Sequence, residues 1–486
     1  MQMLEAIGWV FPTDQTEAGG RDPLWEGSGM FRDLRDFLAS LDHSGNLFHV
    51  REELSPIQEI PGMIKLINQQ RSSAVFFHQV KGYRIPVVAN LLGNRKLLAL
   101  AFDTSKGLEE EYLRRRETLL KPRIVENPPV KEVILRGPID LMAALPVLTH
   151  HHKDIGPYIT SGVTIAKHPE AGYHRMGLHR IQIKGKDHFS IVIASPGMAK
   201  VVQKAEERGE GLEIAVAIGL DPMTFFSSVA FAPEGVDKYE LAGALRSGPL
   251  EITRAESINL EVPARAEFIL EARLIPDLKE IDGPFGDSDG YYHGQPVYIA
   301  KVEAITHRKD PIYHALMPNT SEDSVLIDLS WTPELMIQAR KAFPQIKRLK
   351  ISMIGFHLVI QIEKSSPEDV PRIIQRLRSL NPFAKLIIVV DADVNIDDPS
   401  EIEWAVATRC RPDTDIEMIS GVEWIELDPS SEQIGDQYYS SIWSIDATKP
   451  LDQAERFERA TISPEVKTRI KTLGEKLALR DPLKGI

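Results

Sequence analysis

Apolar positions along this chain recur with two different periods, and the period changes twice. Leu34, Phe37, Leu38 and Leu41 fall on one face of a helix. His43-Ser44-Gly45-Asn46 closes that helix, and Leu47 to Val50 reads as a strand. Ser55-Pro56 predicts the start of a second helix carrying Ile57, Ile60, Met63 and Ile67. Ala74 to Val80 and Ile85 to Leu92 then predict two apolar strands. This alternation is an α/β module ending near residue 125, where Pro122, Pro128 and Pro129 mark a linker. Residues 1–30 are Gly-rich and weakly patterned, and predict an extended arm.

From there to about residue 320 the texture is that of a meander. Val163 to Ala166, Met176 to Lys184 and His188 to Ala194 predict strands, with turns at Pro169-Glu170-Ala171-Gly172 and Gly185-Lys186-Asp187. A helix from about Met198 to Arg208 leads to the apolar strand Ile214 to Ile218. Residues 126–320 therefore read as an antiparallel β domain, a barrel with inserted helices. After residue 325 the alternation returns. Met353 to Ile362, a helix opened by Ser366-Pro367-Glu368-Asp369, and Leu386 to Val390 form a βαβ unit with parallel strands. Glu401 to Thr408 begins another helix. The chain ends on an amphipathic helix with Ser463 as cap, Pro464 in the first turn, and Val466, Ile470, Leu473 and Leu477 on one face. Packing on its own domain and packing on another subunit are equally open for that face.

Composition narrows the class. With 486 residues, the chain has room for two to four domains with sizeable cores. A net charge of -13 argues against nucleic acid as the main partner. Cys410 is the single cysteine, so there is no internal disulfide framework, and a reducing cytoplasm is expected. No basic-then-apolar leader opens the chain, and no uncharged run approaches roughly 18 residues, so a membrane is not expected as a partner.

The densest chemistry lies in Ile281-Asp282-Gly283-Pro284-Phe285-Gly286-Asp287-Ser288-Asp289-Gly290-Tyr291-Tyr292. Glycine and proline exclude a helix here and predict a tight loop between two strands. Aspartates on such a loop suit acid–base work, and they equally suit turn formation. Asp391-Ala392-Asp393-Val394-Asn395-Ile396-Asp397 mimics the start of a calcium loop. Isoleucine stands where that loop needs glycine and, at Ile402, glutamate, so these aspartates are expected to end a strand and cap the next helix. His150-His151-His152 resembles a metal cluster, but adjacent residues on a regular strand cannot all face one ion.

Asp282-Gly-Pro-Phe-Gly-Asp287 and Gly290-Tyr-Tyr resemble the UbiD family of prenylated-FMN-dependent decarboxylases and carboxylases. Asn90-Leu-Leu-Gly93, Ile159-Thr-Ser-Gly-Val163, Lys167-His-Pro-Glu170, Tyr239-Glu-Leu-Ala-Gly-Ala-Leu-Arg246, Trp404-Ala-Val-Ala-Thr-Arg409 and Ile445-Asp-Ala-Thr-Lys449 resemble family segments in family order. The resemblance implies a central split β-barrel of flavin reductase-like type, flanked by an N-terminal α/β module and a C-terminal α/β domain. The expected boundaries are 1–125 for the module, 126–320 for the barrel, 321–450 for the C-terminal domain and 451–486 for the trailing helix. It implies reversible decarboxylation of an aromatic or α,β-unsaturated carboxylic acid, with Arg180, Asp282 and Asp287 as the catalytic set. Asp289 matches no family catalytic position and is expected only to form the turn. The resemblance further implies that Thr160 and Lys449 touch prenylated FMN.

The family's phosphate anchor is a divalent metal, Mn2+, accompanied by K+ and held by asparagine, histidine and glutamate. Glu240 matches the glutamate, Arg175 stands at the asparagine, and Gly197 and Met198 stand at the histidine. A guanidinium can serve a phosphate on one edge and a carboxylate on the other, so Arg175 is expected to replace the ion and bridge Glu240 to the phosphate. A homo-oligomer, dimer or hexamer, is the family expectation. The alternative readings are a subunit of a multi-subunit aryl carboxylase, and a non-catalytic paralogue with an assembly or cofactor-handling role.

Overall fold

Leu34, Phe37, Leu38 and Leu41 are all buried on one side of the helix Leu34–His43, whose N-terminus is capped by Asp33 accepting from the Asp36 amide at 3.1 Å. The computed structural model describes residues 31–71, 73–105, 107–193 and 195–476. The expected arm at 1–30 and Leu477 of the last helix lie outside the described residues. The second helix spans Glu59–Gln70 and starts later than Ser55-Pro56 predicts. Gln58 is left-handed (φ 62°), and the Ser55 hydroxyl is spent on the Ile57 amide, so the helical turn cannot begin before Glu59. Leu47–Leu54, Ala74–Val80, Val87–Ala89 and Tyr313–Ala315 make a four-stranded sheet in that order. Its last strand, Tyr313–Ala315, comes from the far end of the stretch expected to form the central domain.

Among the described residues the central sheet has nine strands: β1 (Val133–Arg136), β2 (Tyr158–Ile159), β3 (Val163–Lys167), β4 (His174–Leu178), β5 (Ile181–Ile183), β6 (His188–Ile191), β7 (Glu213–Ile218), β8 (Phe268–Gly286) and β9 (Tyr292–His307). The ladder runs β2–β5–β6–β9–β8–β7–β3–β4, with β1 paired to β9. Its end strands do not pair with each other, so among the described residues no continuous ladder closes it into a barrel. The architecture is mixed α/β sheet, with apolar residues of β3 and β7 buried on both faces.

The hairpin β8–β9 corrects the expected loop. The ladder does not stop near Leu274. It shifts register between Leu274 and Lys279 and again between Asp282 and Phe285, and continues to Gly286. The second shift absorbs Pro284, which has no N–H to give the ladder. Only residues 287–291 form the turn.

The helix Ser321–Ala342 has no counterpart in the sequence pattern. Its buried side includes Glu322, Ser330, Thr332 and Glu334 beside Leu326, Leu329 and Leu335, and Pro333 sits inside it, so its apolar period is blurred. The C-terminal sheet is ordered Ile346–Ser352, His357–Ile362, Leu386–Asp391, Gln437–Ala447, Ile416–Trp424. His357–Ile362 and Leu386–Asp391 are parallel across the helix Asp369–Leu380, as the βαβ pattern requires. The aspartates of the calcium-like loop take another role than capping. Arg409 donates to Asp391 at 2.7 Å and Asp393 at 2.8 Å, while Asp398 caps the next helix, Pro399–Arg409.

Candidate active site

Two backbone breaks place the central side chains. Arg180 lies in the two-residue break between β4 and β5, and Thr160 in the three-residue break between β2 and β3. At such breaks a side chain is freed from the strict alternation of a strand. Arg180 reaches across to β8 and lies between two carboxylates. Its Nε donates to Asp282 Oδ2 at 2.8 Å, its Nη2 lies 2.7 Å from the same oxygen, and its Nη1 pairs with Asp287 Oδ2. The ring of Phe285 lies below the guanidinium, at 5.4 Å.

The two carboxylates differ in environment. Asp282 is fully buried, and its Oδ1 has no hydrogen-bond partner. Burial pushes its carboxyl above the ordinary value, and Arg180 offsets this only in part. Asp287 keeps 22% of its side chain exposed, and its Oδ1 accepts the Ser288 amide at 2.7 Å. Burial opposes the charge of Arg180, but its two carboxylates outweigh this and hold it firmly protonated. Tyr158, fully buried against Phe285 at 4.2 Å, feels Asp282, and burial followed by that charge drives its phenol upward.

Several site residues carry no motif. Asp154 accepts the amides of His150 (3.0 Å), His151 (2.7 Å) and Gly286 (2.9 Å) and so pins the end of β8. A Cβ at Gly286 would stand 2.4 Å from His151 Nδ1, so only glycine permits this approach. Of the three adjacent histidines, His150 lies buried 3.4 Å from Thr160 Oγ1, His151 contacts Lys65 Nζ at 3.2 Å, and His152 is exposed. Asp289, expected only to form the turn, is also paired with His293 Nε2 at 2.5 Å. Asp289 raises the His293 imidazole against the opposing effect of burial, and Asp287 adds to it. Folding the glycine-rich stretch as a hairpin would have found His293, which pairs with Phe285 across the ladder. Nothing in the sequence points to Asp154.

Other expected contacts do not form. Arg175 donates to the carbonyls of Ala232 (3.2 Å) and Pro233 (3.1 Å), not to Glu240. Glu240 sits half-buried on the helix Lys238–Arg246, its carboxyl raised by burial and by Asp237. The charges that Glu240 feels are those of Asp237 and Lys121, not that of Arg175. Thr160 Oγ1 donates to the Leu316 carbonyl at 2.6 Å. Lys449 is held in the C-terminal domain by Asp393 (2.9 Å), with its amide on Asp391, and does not join the Arg180 group. Among the described residues no three His, Cys, Asp or Glu side chains are grouped to hold a metal ion. The side chains around Glu240 do not fit a divalent cation. A polar cofactor fits better, because Asp282 Oδ1, Tyr158 Oη, His150 Nδ1 and Arg175 Nε are buried without partners.

Comparison with known proteins gives three consecutive family matches. Residues 38–115 match the N-terminal domain, 123–321 the Rift-related domain and 324–447 the C-terminal domain of 3-octaprenyl-4-hydroxybenzoate carboxy-lyase, UbiD. An anhydromevalonate phosphate decarboxylase of Methanothermobacter thermautotrophicus is 32% identical over 88% of this chain and 100% of its own length. One from Methanosarcina mazei is 33% identical over 89% and 99%. Among solved structures, the UbiD-class enzyme HmfF from Pelotomaculum thermopropionicum in complex with FMN is 37% identical. It aligns with a TM-score of 0.84 over 90% of this chain and 98% of that one. An evolved dimeric form of HmfF in complex with prFMN aligns at 0.80 with 36% identity over the same shares.

Proposed function

The chain belongs to the UbiD family of carboxy-lyases, and from that premise we propose that it is a prenylated-FMN-dependent decarboxylase of an aromatic or α,β-unsaturated carboxylic acid. The observation that carries the reading is Arg180 held between Asp282 and Asp287. Bound prenylated FMN would supply the electron-accepting framework that an unsaturated acid needs in order to release CO2. Thr160 and the unpartnered polar atoms around Asp282 would border it. Arg180, fixed by buried Asp282, orients the substrate carboxylate. Asp287 delivers the proton to the carbon left after CO2 departs, from the oxygen that Arg180 does not hold, and its exposed fraction allows reprotonation from water.

The central sheet is read as a split barrel. One antiparallel hairpin, broken at 160–162 and at 179–180, links the two ends of the open ladder: Ile159 pairs with Ile181 and Val163 with Leu178. The division at residues 125, 320 and 450 and a homo-oligomeric state are part of the same proposal. The solved HmfF relatives include a dimeric form. No helix among the described residues is long and apolar enough to cross a membrane.

The test is co-expression with a prenyl-FMN supply, followed by a visible spectrum and deuterium exchange on a panel of unsaturated, aromatic and phosphorylated unsaturated acids. Asp287→Asn should keep the spectrum and lose exchange by roughly a hundredfold or more. Undiminished exchange in that variant would remove Asp287 from the mechanism. A protein that takes up no flavin would overturn the reading and favour the non-catalytic alternative.

A further inference from the structure

Arg175 is a buried cation with neutral partners. It is 6% exposed on β4, its Nη atoms are spent on the carbonyls of Ala232 and Pro233, and its guanidinium stands 5.0 Å over the Tyr173 ring. Its Nε is buried and unpartnered. A buried charge in such a setting carries a desolvation penalty that an anion would relieve.

That Nε faces the start of the helix Pro196–Glu207, where a Cβ added at Gly197 would lie 3.3 Å from it. First-turn amides have no acceptor within their helix, and they stand at the positive end of its dipole. The cap residue Ser195 makes no capping bond, and its hydroxyl instead lies 3.2 Å from His179 Nε2. His179 is neutral, because burial pushes it down to about 4. Lys238 is buried within electrostatic reach of Arg175 and donates to the Ser227 carbonyl at 2.9 Å; burial, then Arg175, pushes its amine well down, so Arg175 is the cation that an anion would meet here. Glu234, which also feels Arg175, is exposed and paired with Lys200 at 2.7 Å.

We infer that this corner binds the phosphate of a flavin mononucleotide directly, through Arg175 Nε and the first-turn amides of the helix Pro196–Glu207, with no bridging divalent cation. The inference rests on the flavin reading above and departs from the metal anchor the family resemblance implies. It also replaces the expected Arg175–Glu240 bridge. Arg175 and Arg180 lie on one run of chain whose five residues reach at most roughly 16 Å, so one flavin nucleotide can extend from this corner to the Asp282 and Asp287 carboxylates.

The test is titration of the apoprotein with FMN and with riboflavin, which lacks the phosphate, in chelator and again with Mn2+ in excess. In chelator, FMN should bind tighter than riboflavin by roughly tenfold to a hundredfold, the range for a charged hydrogen bond. Mn2+ should leave that ratio unchanged, and inorganic phosphate should compete with FMN and not with riboflavin. Arg175→Gln should bring FMN to the riboflavin level, with no recovery on adding Mn2+. Should that variant fail to fold, the wild-type ratio with and without Mn2+ still decides. A preference for FMN that appears only with Mn2+, or that survives intact in Arg175→Gln, would overturn the inference. Binding of neither flavin would overturn the flavin reading itself, and the inference with it.

Discussion

The Asp154 carboxylate and the Gly286 amide meet at 2.9 Å, and this bond ties the histidine segment to the strand that bears Asp282 and Asp287. The side chain of Asp154 is fully buried and is the acceptor for all three amides. Asp154→Ala should cost about 2–3 kcal/mol of stability and lower turnover together, because a lost charged acceptor leaves buried donors unsatisfied. Chemical denaturation and initial rates check this. Burial pushes the Asp154 carboxyl up, but hydrogen bonds from His151 and the amides outweigh it and hold it below its ordinary value. Its contribution is therefore present above the ordinary carboxylate range and lost as the pH falls through the depressed value, so the variant and the wild type should converge in acid.

Gly286→Ala should destabilise the fold by about 1–3 kcal/mol, as overpacking does. The new methyl meets His151 Nδ1 at 2.4 Å, and Lys65 holds the other ring nitrogen. Adding His151→Ala should recover part of the loss in a double-mutant cycle. Strict additivity of the two changes would show that the contact does not matter.

Asp282→Ala should cost about 3–5 kcal/mol, the penalty for leaving a buried charge without its partner. Arg180 is only 10% exposed and keeps just its contact to Asp287 in that variant. Arg180→Lys should fold better than Asp282→Ala and still be inactive, since an ammonium cannot span both carboxylates. Denaturation curves with m-values separate the two effects, and a cost below about 1 kcal/mol for Asp282→Ala would contradict the geometry.

Glu322 gives a pH test of the fold. It is buried, accepts the Leu92 amide at 2.8 Å, and burial pushes its carboxyl from 4.5 up to about 7. Here the folded state holds the proton more tightly than the unfolded one, so stability falls as pH rises between those two values. Glu322→Gln should abolish that slope. The variant should match the wild type in acid and exceed it in mild alkali, as measured by denaturation across pH.

His293 should behave in the opposite sense to Asp154. Asp289, at 2.5 Å, raises its imidazole above 6.5. Its stabilising contribution is complete below the unfolded value and is lost as pH rises through the folded one. His293→Gln should therefore be destabilising in acid and nearly neutral in alkali, and equal destabilisation at both ends would discount the ion pair.

The sequence by itself determined the alternation of α/β, meander and α/β, the parallel pair around the helix Asp369–Leu380, and the motifs that carry Arg180, Asp282 and Asp287. Local periodicity and a covalently continuous motif are written in neighbouring residues, so one dimension suffices to read them. Tertiary structure alone decided the rest. The helix Ser321–Ala342 hid because buried Glu322 and Glu334 find partners only across the fold, which lets polar residues occupy its inner face. Asp154 and His293 reached the site through a turn and a hairpin register. Arg175 parted from Glu240 because a strand and a helix fixed their directions independently. Such pairings depend on where distant segments are brought together by burial of apolar surface, and no spacing along the chain encodes that distance.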